Sequence, residues 1–229
     1  MSSEASLWDR VKRKARSTFS ESPGALDRID FGSGLGDSSW LLYGFARSLK
    51  PDVAVEIGSA RGRSACFVGQ ALKQNGKGKL FAIDPHTSTQ WNDAGAVNTL
   101  DVMRGNLASL GLESHVEIVR DVSQNVAATW TRQIDLLFID GDHSYDGVKR
   151  DWDLFSPFVA PFGFVVFHDT TWDLHPGTAY SRADMGVPAF VETLRVDGYP
   201  ILTIDRDFGV SLVQPKRNGV TLAAKGSNR

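Results

Sequence analysis

Acidic side chains stand where the short apolar runs of this sequence end, and histidines sit beside some of them. Glu56 leads into Gly58-Ser59-Ala60-Arg61-Gly62-Arg63-Ser64, Asp84 closes the run FAID, and Asp121 follows VEIVR. Asp140, Asp142 and His143 lie in FIDGDHSY, and His168 with Asp169 ends FGFVVFHD. Two carboxylates brought together raise each other's pKa unless a cation lies between them. A hard divalent ion such as Mg²⁺, held by carboxylate oxygens and water, answers that need, and it also lowers the pKa of a bound hydroxyl. A histidine, with an ordinary pKa near 6.5, is substantially neutral at pH 7 and suits a general base. The residues at this end therefore point to proton removal from a hydroxyl beside a cation.

Such residues act together only if the chain brings them to one place. Amphipathic stretches predict helices over 38–49, 63–74, 93–110, 145–155 and 187–196, with a short one over 122–131. Between them, 52–57, 79–83, 116–119, 134–139 and 162–167 read as strands. IDLLFI and FGFVVF are apolar throughout, as expected of strands covered on both faces. The runs 201–204 and 208–213 form a last pair around Asp205-Arg206-Asp207. Alternating strands and helices predict a doubly wound α/β domain over 34–214, with a mostly parallel seven-stranded sheet and one antiparallel edge strand. A helical extension over 1–33 and a loose tail over 215–229 flank it. Ligands of such sheets bind beyond the strand carboxyl ends, at the point where strand order reverses. The chemistry-bearing residues all fall at those ends.

The turn after the first strand favours one cofactor class. Glycines there let backbone approach a ligand, and the helix that follows offers free N–H groups. Its spacing, Gly58-x-x-x-Gly62, is not the G-x-G-x-x-G of dinucleotide sites. Glu56 is unwelcome near a pyrophosphate and suited to a cofactor with a positive centre and an amino group. This points to S-adenosylmethionine rather than NAD. Asp84 is placed for ribose hydroxyls, and Asp121 beside Val122 for an adenine amino group. A single strand-end Asp is often only a helix cap; three in succession behind this turn are far more specific.

VAVEIGSARGRSA followed by FAIDPH resembles the first two motifs of class I S-adenosylmethionine-dependent methyltransferases, in a likeness running from about 34 to 213. The resemblance implies that the turn from Gly58 to Gly62, with Ser59 and Ala60, wraps the methionine part, with Asp84 on the ribose and Asp121 and Val122 on the adenine; Glu56 and Ser64 are further cofactor-binding candidates. It places Asp140 at the border of cofactor and metal. The string I-D-G-D-H-x-Y, with H-D-T one strand later, resembles the metal-dependent O-methyltransferases, most of all their bacterial branch acting on sugars and secondary metabolites. It implies Asp140 and Asp169 as ligands of a divalent cation, Mg²⁺ or Mn²⁺, and Asp142 and His143 at the positions of the base and its neighbour. Either of the two can take the proton. The family base is often Lys, and where cousins carry an acid this chain has His168. Imidazole is a poor Mg²⁺ ligand, so His168 reads equally as a ligand of a softer metal, a support for the ligands, or a structural histidine.

The rest of the chain is less specific. With 25 Lys and Arg against 27 Asp and Glu, the formal net charge is −2, so no surface-wide grip on nucleic acid is expected. One cysteine, Cys66, cannot form an internal disulfide and falls on a core face. No apolar run reaches the ~20 residues of a bilayer span, and the basic cluster from Arg10 to Arg16 lacks the apolar stretch of a secretory signal. A cytoplasmic protein is expected. His86 is near the cofactor or a plain loop residue, and His115 is structural. Trp172, His175, Tyr180 and Arg182 either contact substrate or pack on one another. Trp40 to Tyr43 and the N-terminal segment are candidates for a homodimer contact. No G-x-S-x-G or H-E-x-x-H string is present. An RNA-modifying methyltransferase, a non-catalytic binding protein of the same fold, a nicotinamide oxidoreductase and a hydroxylase-associated role are the competing readings.

Overall fold

The computed structural model describes residues 23–87, 98–175 and 184–216. The described elements run α1 (Ser38–Leu49), β1 (Val53–Ile57), α2 (Arg63–Asn75), β2 (Lys79–Ile83), α3 (Thr99–Leu110), β3 (Val116–Val119) and α4 (Ser123–Thr129). They continue with β4 (Ile134–Ile139), α5 (Tyr145–Phe155), β5 (Val159–His168), α6 (Val187–Val196), β6 (Ile201–Ile204) and β7 (Val210–Val213). Short 3₁₀ turns lie at Pro23–Arg28, Ser156–Phe158 and Trp172–Leu174. The basic N-terminal cluster, Tyr180, Arg182, most of the expected tail and the start of the helix expected from 93 lie outside the described residues.

The seven strands form one sheet in the order β3-β2-β1-β4-β5-β7-β6. All pairs are parallel except those made by β7, which runs against both β5 and β6. The antiparallel strand thus sits one place in from the edge strand β6. Strand order reverses between β1 and β4, and Ile57 and Ile139 are register partners there. Gly58 and Asp140 follow side by side.

Burial on both faces explains the apolar strands. Along β4, Leu136 and Phe138 enter one core with Ala54 and Val166, whereas Leu137 and Ile139 enter the other with Val55 and Val165. α1, α2 and α3 close the first layer through Leu42, Phe67, Leu72 and Met103. α5 and α6 close the second, where Trp152 and Phe155 meet Phe167 and Phe190. Leu26 and Phe31 are 1% exposed and belong to the first core, so the described part of the 1–33 segment packs into the domain.

Local signals set the helix ends. Asn98 caps α3 by accepting from the Asp101 amide (3.2 Å), and the Ser144 hydroxyl caps α5 by accepting from the Gly147 amide (3.1 Å). α2 starts after Gly62 and stops at Gly76, both left-handed, and Gly76 follows Asn75 as a C-terminal stop. At the N-terminus of α1, Asp37 provides no side-chain cap.

Candidate active site

The turn after β1 is built on two close approaches. Gly58 has φ of +86°, and a Cβ there would lie 2.2 Å from the Asp140 carbonyl oxygen, so only glycine fits beside β4. From β2, one Asp84 carboxylate oxygen accepts the amides of Ser59 (2.9 Å) and Ala60 (2.8 Å) and the other accepts that of His86 (2.6 Å). Asp84 therefore fixes the turn itself. Gly62 faces Met103 rather than the cavity described below. Glu56 lies behind the turn, 1% exposed, accepting from the Ser59 hydroxyl (3.1 Å). Burial pushes its carboxyl up to about 8, against the pull of the Ser64 and Ser59 hydroxyls. It supports the turn from beneath and is absent from the cavity wall.

After β3, Asp121 accepts from the Val122 amide (2.8 Å) and from Asn125 Nδ2 (2.9 Å), with Val122 exposed beside it. The Ser123 hydroxyl donates to Asp151 (2.6 Å), a buried acid on α5. Burial raises the Asp151 carboxyl to about 6, partly countered by Ser123 and Arg150. Asp151 was not singled out from sequence. Its signal was there, because it shares the helix face of Val148, Trp152 and Phe155, where an acid is unusual.

The ends of β4 and β5 bring four groups together. His143 Nδ1 is 3.0 Å from Asp169 Oδ2, and its Nε2 is 3.6 Å from Asp140 Oδ1. His168 Nδ1 is 3.2 Å from Asp140 Oδ1 and 3.4 Å from Asp169 Oδ1. One ligand atom each from Asp140, His143 and Asp169 lies within 4.8 Å of the others, a spacing and donor set that fit a divalent cation. His168 is turned so that Nε2 meets the Asp207 carbonyl at 2.8 Å. Burial alone would lower its pKa, but the Asp169 and Asp140 carboxylates outweigh that and carry it up to about 9. On the Asp169 carboxyl burial acts the other way and raises it, against the pull of His168 and His143, and Asp169 holds the left-handed backbone at φ of +59°.

Asp142 is engaged elsewhere. It accepts from the Ser144 amide (3.0 Å) and hydroxyl (2.7 Å) and from Arg150 (3.3 Å). Burial works to raise its pKa, and these partners together bring it below the ordinary carboxylate value. It closes the loop that leads into α5 and presents His143.

One cavity of about 1080 Å³ joins the two ends of the site. Its wall includes Gly58, Ser59, Ala60, Ser64, Asp84, Asp121 and Val122 on one side and Asp140, Asp142, His143, His168 and Asp169 on the other. Trp172 lines it as well, stacked on Phe208 with ring centroids 4.3 Å apart. Asp30 and residues 32–35, a strap before α1, together with Asp151 and Phe208, are further wall residues that the sequence pattern did not suggest. His86 packs behind the cavity with Nδ1 3.1 Å from the Thr99 hydroxyl, His115 stands at β3 beside Ser114, and His175 contacts Asp205. Cys66 is buried in the core. No described helix is long and apolar enough to cross a membrane.

Residues 55–170 match the family model described as a methyltransferase domain. The chain is 32% identical to the uncharacterized protein R132 of Acanthamoeba polyphaga mimivirus over 118 residues, half of each chain. It is 26% identical to the uncharacterized protein y4gI of Sinorhizobium fredii over 148 residues, 58% of this chain and 15% of that one. The chain thus aligns with half or less of these relatives' lengths. Among solved structures it resembles the Podospora anserina methyltransferase PaMTH1 bound to S-adenosylhomocysteine, with TM-score 0.64 and 15% identity over 95% of this chain and 100% of that one. It also resembles the O-methyltransferase TomG of Streptomyces achromogenes in complex with S-adenosylmethionine, with TM-score 0.60 and 18% identity over 88% and 89%. At such identities the likeness is one of fold.

Proposed function

This chain belongs to the methyltransferase-domain family, and from that membership we propose that it transfers a methyl group from S-adenosylmethionine to a hydroxyl of a small molecule, assisted by a divalent cation. The observation that carries this reading is the single cavity running from the glycine turn to the Asp140–His143–Asp169 cluster. A donor held along Gly58, Asp84 and Asp121 and an acceptor held at the cluster would meet inside one enclosure. The ligands of PaMTH1 and TomG, in structures of the same fold, support that placement.

Asp140, Asp169 and His143 would hold the cation, which when bound lowers the pKa of the acceptor hydroxyl, as S-adenosylmethionine supplies the methyl group. Asp84 keeps the turn amides in place, and Asp142, tied to Ser144 and Arg150, holds the loop that carries His143. The acceptor is neutral and hydroxylated, of the sugar, glycoside or other secondary-metabolite class. Among the described wall residues the three arginines are already engaged: Arg61 on the Gly32 carbonyl, Arg63 on that of Gly36, and Arg150 on Asp142. An anionic acceptor would instead meet the carboxylates of Asp140, Asp142 and Asp169.

A second reading has one observation in its favour. The 3.0 Å contact of His143 with Asp169 is that of a general base with its orienting carboxylate, which needs no ion. Methyl transfer from labelled S-adenosylmethionine to a panel of sugars and catechols, with Mg²⁺, Mn²⁺ or EDTA, separates the two. Loss of product with EDTA and its return with metal is expected; product formation indifferent to EDTA selects the metal-free base. A folded chain that fails to bind S-adenosylmethionine in calorimetry overturns both.

A further inference from the structure

The β6–β7 turn, far from the cofactor residues in sequence, lines the cavity with Phe208 and acts on the wall also through Asp207, whose side chain is not part of it. Asp207 and Phe208 in this turn both hold left-handed backbone, at φ of +49° and +68°, before Gly209 at +96°. Such conformations are costly for residues with side chains, and a run of two requires support from the surroundings. Here each residue has a task. The Asp207 main-chain carbonyl accepts from His168 Nε2 (2.8 Å), and the Phe208 ring stacks on Trp172. The Asp207 carboxylate accepts the Ser38 amide at 2.8 Å, a donor it shares with the Leu35 carbonyl of the strap at 3.1 Å. That amide opens α1, whose own cap residue, Asp37, makes no capping hydrogen bond and pairs instead with Arg206. The Ser38 hydroxyl donates in turn to the Arg206 carbonyl at 3.1 Å.

The segment fixed by this cap is the strap of residues 30–36. Asp30 and residues 32–35 line the cavity next to Ser59, Ala60 and Arg61. Gly36 packs so closely on the Asp207 carboxylate that a Cβ would approach it to 2.6 Å. Arg61 and Arg63 hold the strap from the side of the glycine turn. We propose that Asp207 is a positioning residue for cofactor binding: by capping α1 in trans it latches the 30–36 strap against the cofactor end of the cavity, without touching the cofactor. The inference rests on the cofactor reading given above.

The test is calorimetric titration of the full chain with S-adenosylhomocysteine. Asp207→Ala should bind about fivefold more weakly, in line with the loss of one helix cap. Asp207→Asn, which keeps an accepting oxygen, should bind within about twofold of the parent. Asp205→Ala, which cuts the neighbouring contacts to Thr171 and His175, should leave affinity unchanged. Equal binding by folded Asp207→Ala overturns the latch, and so does a loss that Asn fails to restore. Amide exchange on the unsubstituted chain decides the matter should Asp207→Ala not fold. S-adenosylhomocysteine should slow exchange at Ser38 along with the strap, and a Ser38 amide indifferent to the ligand overturns the latch. A parent chain that does not bind S-adenosylhomocysteine refutes the cofactor reading instead.

Discussion

His143 Nδ1 and Asp169 Oδ2 lie 3.0 Å apart across the ends of neighbouring strands β4 and β5. This contact joins a loop that precedes α5 to a strand end whose backbone is left-handed. It makes the two residues one unit, in which Asp169 fixes the imidazole. Asp169→Asn should lower methyl transfer by roughly 100-fold or more, the range for removing a participant in proton transfer or its orienting group. Initial rates with the accepting substrate measure this. A drop of less than about threefold would remove Asp169 from the mechanism.

Asp140→Asn should abolish Mn²⁺ binding while weakening S-adenosylhomocysteine binding by only a few-fold, because the glycine turn and Asp84 remain. Parallel titrations with Mn²⁺ and S-adenosylhomocysteine separate the two effects. Unchanged Mn²⁺ affinity would place the ion elsewhere.

Gly58→Ala puts a methyl group 2.2 Å from the Asp140 carbonyl at a φ of +86°, so backbone must move on β1 or β4. The expected result is a loss of about 2 kcal/mol or more of stability together with loss of cofactor binding. Urea unfolding and calorimetry would show both. A variant with normal stability and affinity would mean that the turn tolerates a shift these contacts forbid.

The Asp151 carboxyl titrates at about 6 in the folded chain against an ordinary 3.8. Between those values the folded state binds more protons than the unfolded one, so this residue's contribution to stability falls as pH rises from about 4 to about 6 and is constant above. The cost, set by burial against Ser123 and Arg150, is on the order of 2–3 kcal/mol at pH 7. Asp151→Asn removes this dependence. The difference between parent and variant unfolding free energies should therefore change across pH 4 to 6. A flat difference would contradict the raised value.

Phe31 is 1% exposed in the first core. Phe31→Ala should destabilise the fold by about 3–5 kcal/mol, the cost of a buried cavity of that size. Thermal or denaturant unfolding measures it. A cost below about 1 kcal/mol would mean that the segment before residue 34 is dispensable to the domain.

Sequence alone determined the order of strands and helices, the parallel character of the central sheet, the glycine turn and the acids at the strand ends. These depend on period, on apolar runs such as IDLLFI and on caps such as Asn75-Gly76, all of which act between near neighbours along the chain. The tertiary structure decided which of those acids face the cavity. Strand register and side-chain packing place Glu56 behind the turn, give Asp84 the turn amides, and tie Asp142 to Arg150 one helical turn or more away on α5. It also recruited Asp151 through the phase of α5. The Asp207 carboxylate meets Ser38 across 169 positions of sequence, and the Asp207 carbonyl meets His168 across 39. Contacts of that kind depend on how β7 pairs with β5 and how α1 meets the β6–β7 turn. They leave no periodic trace in the chain, because what specifies them is the packing of whole elements rather than the spacing of residues.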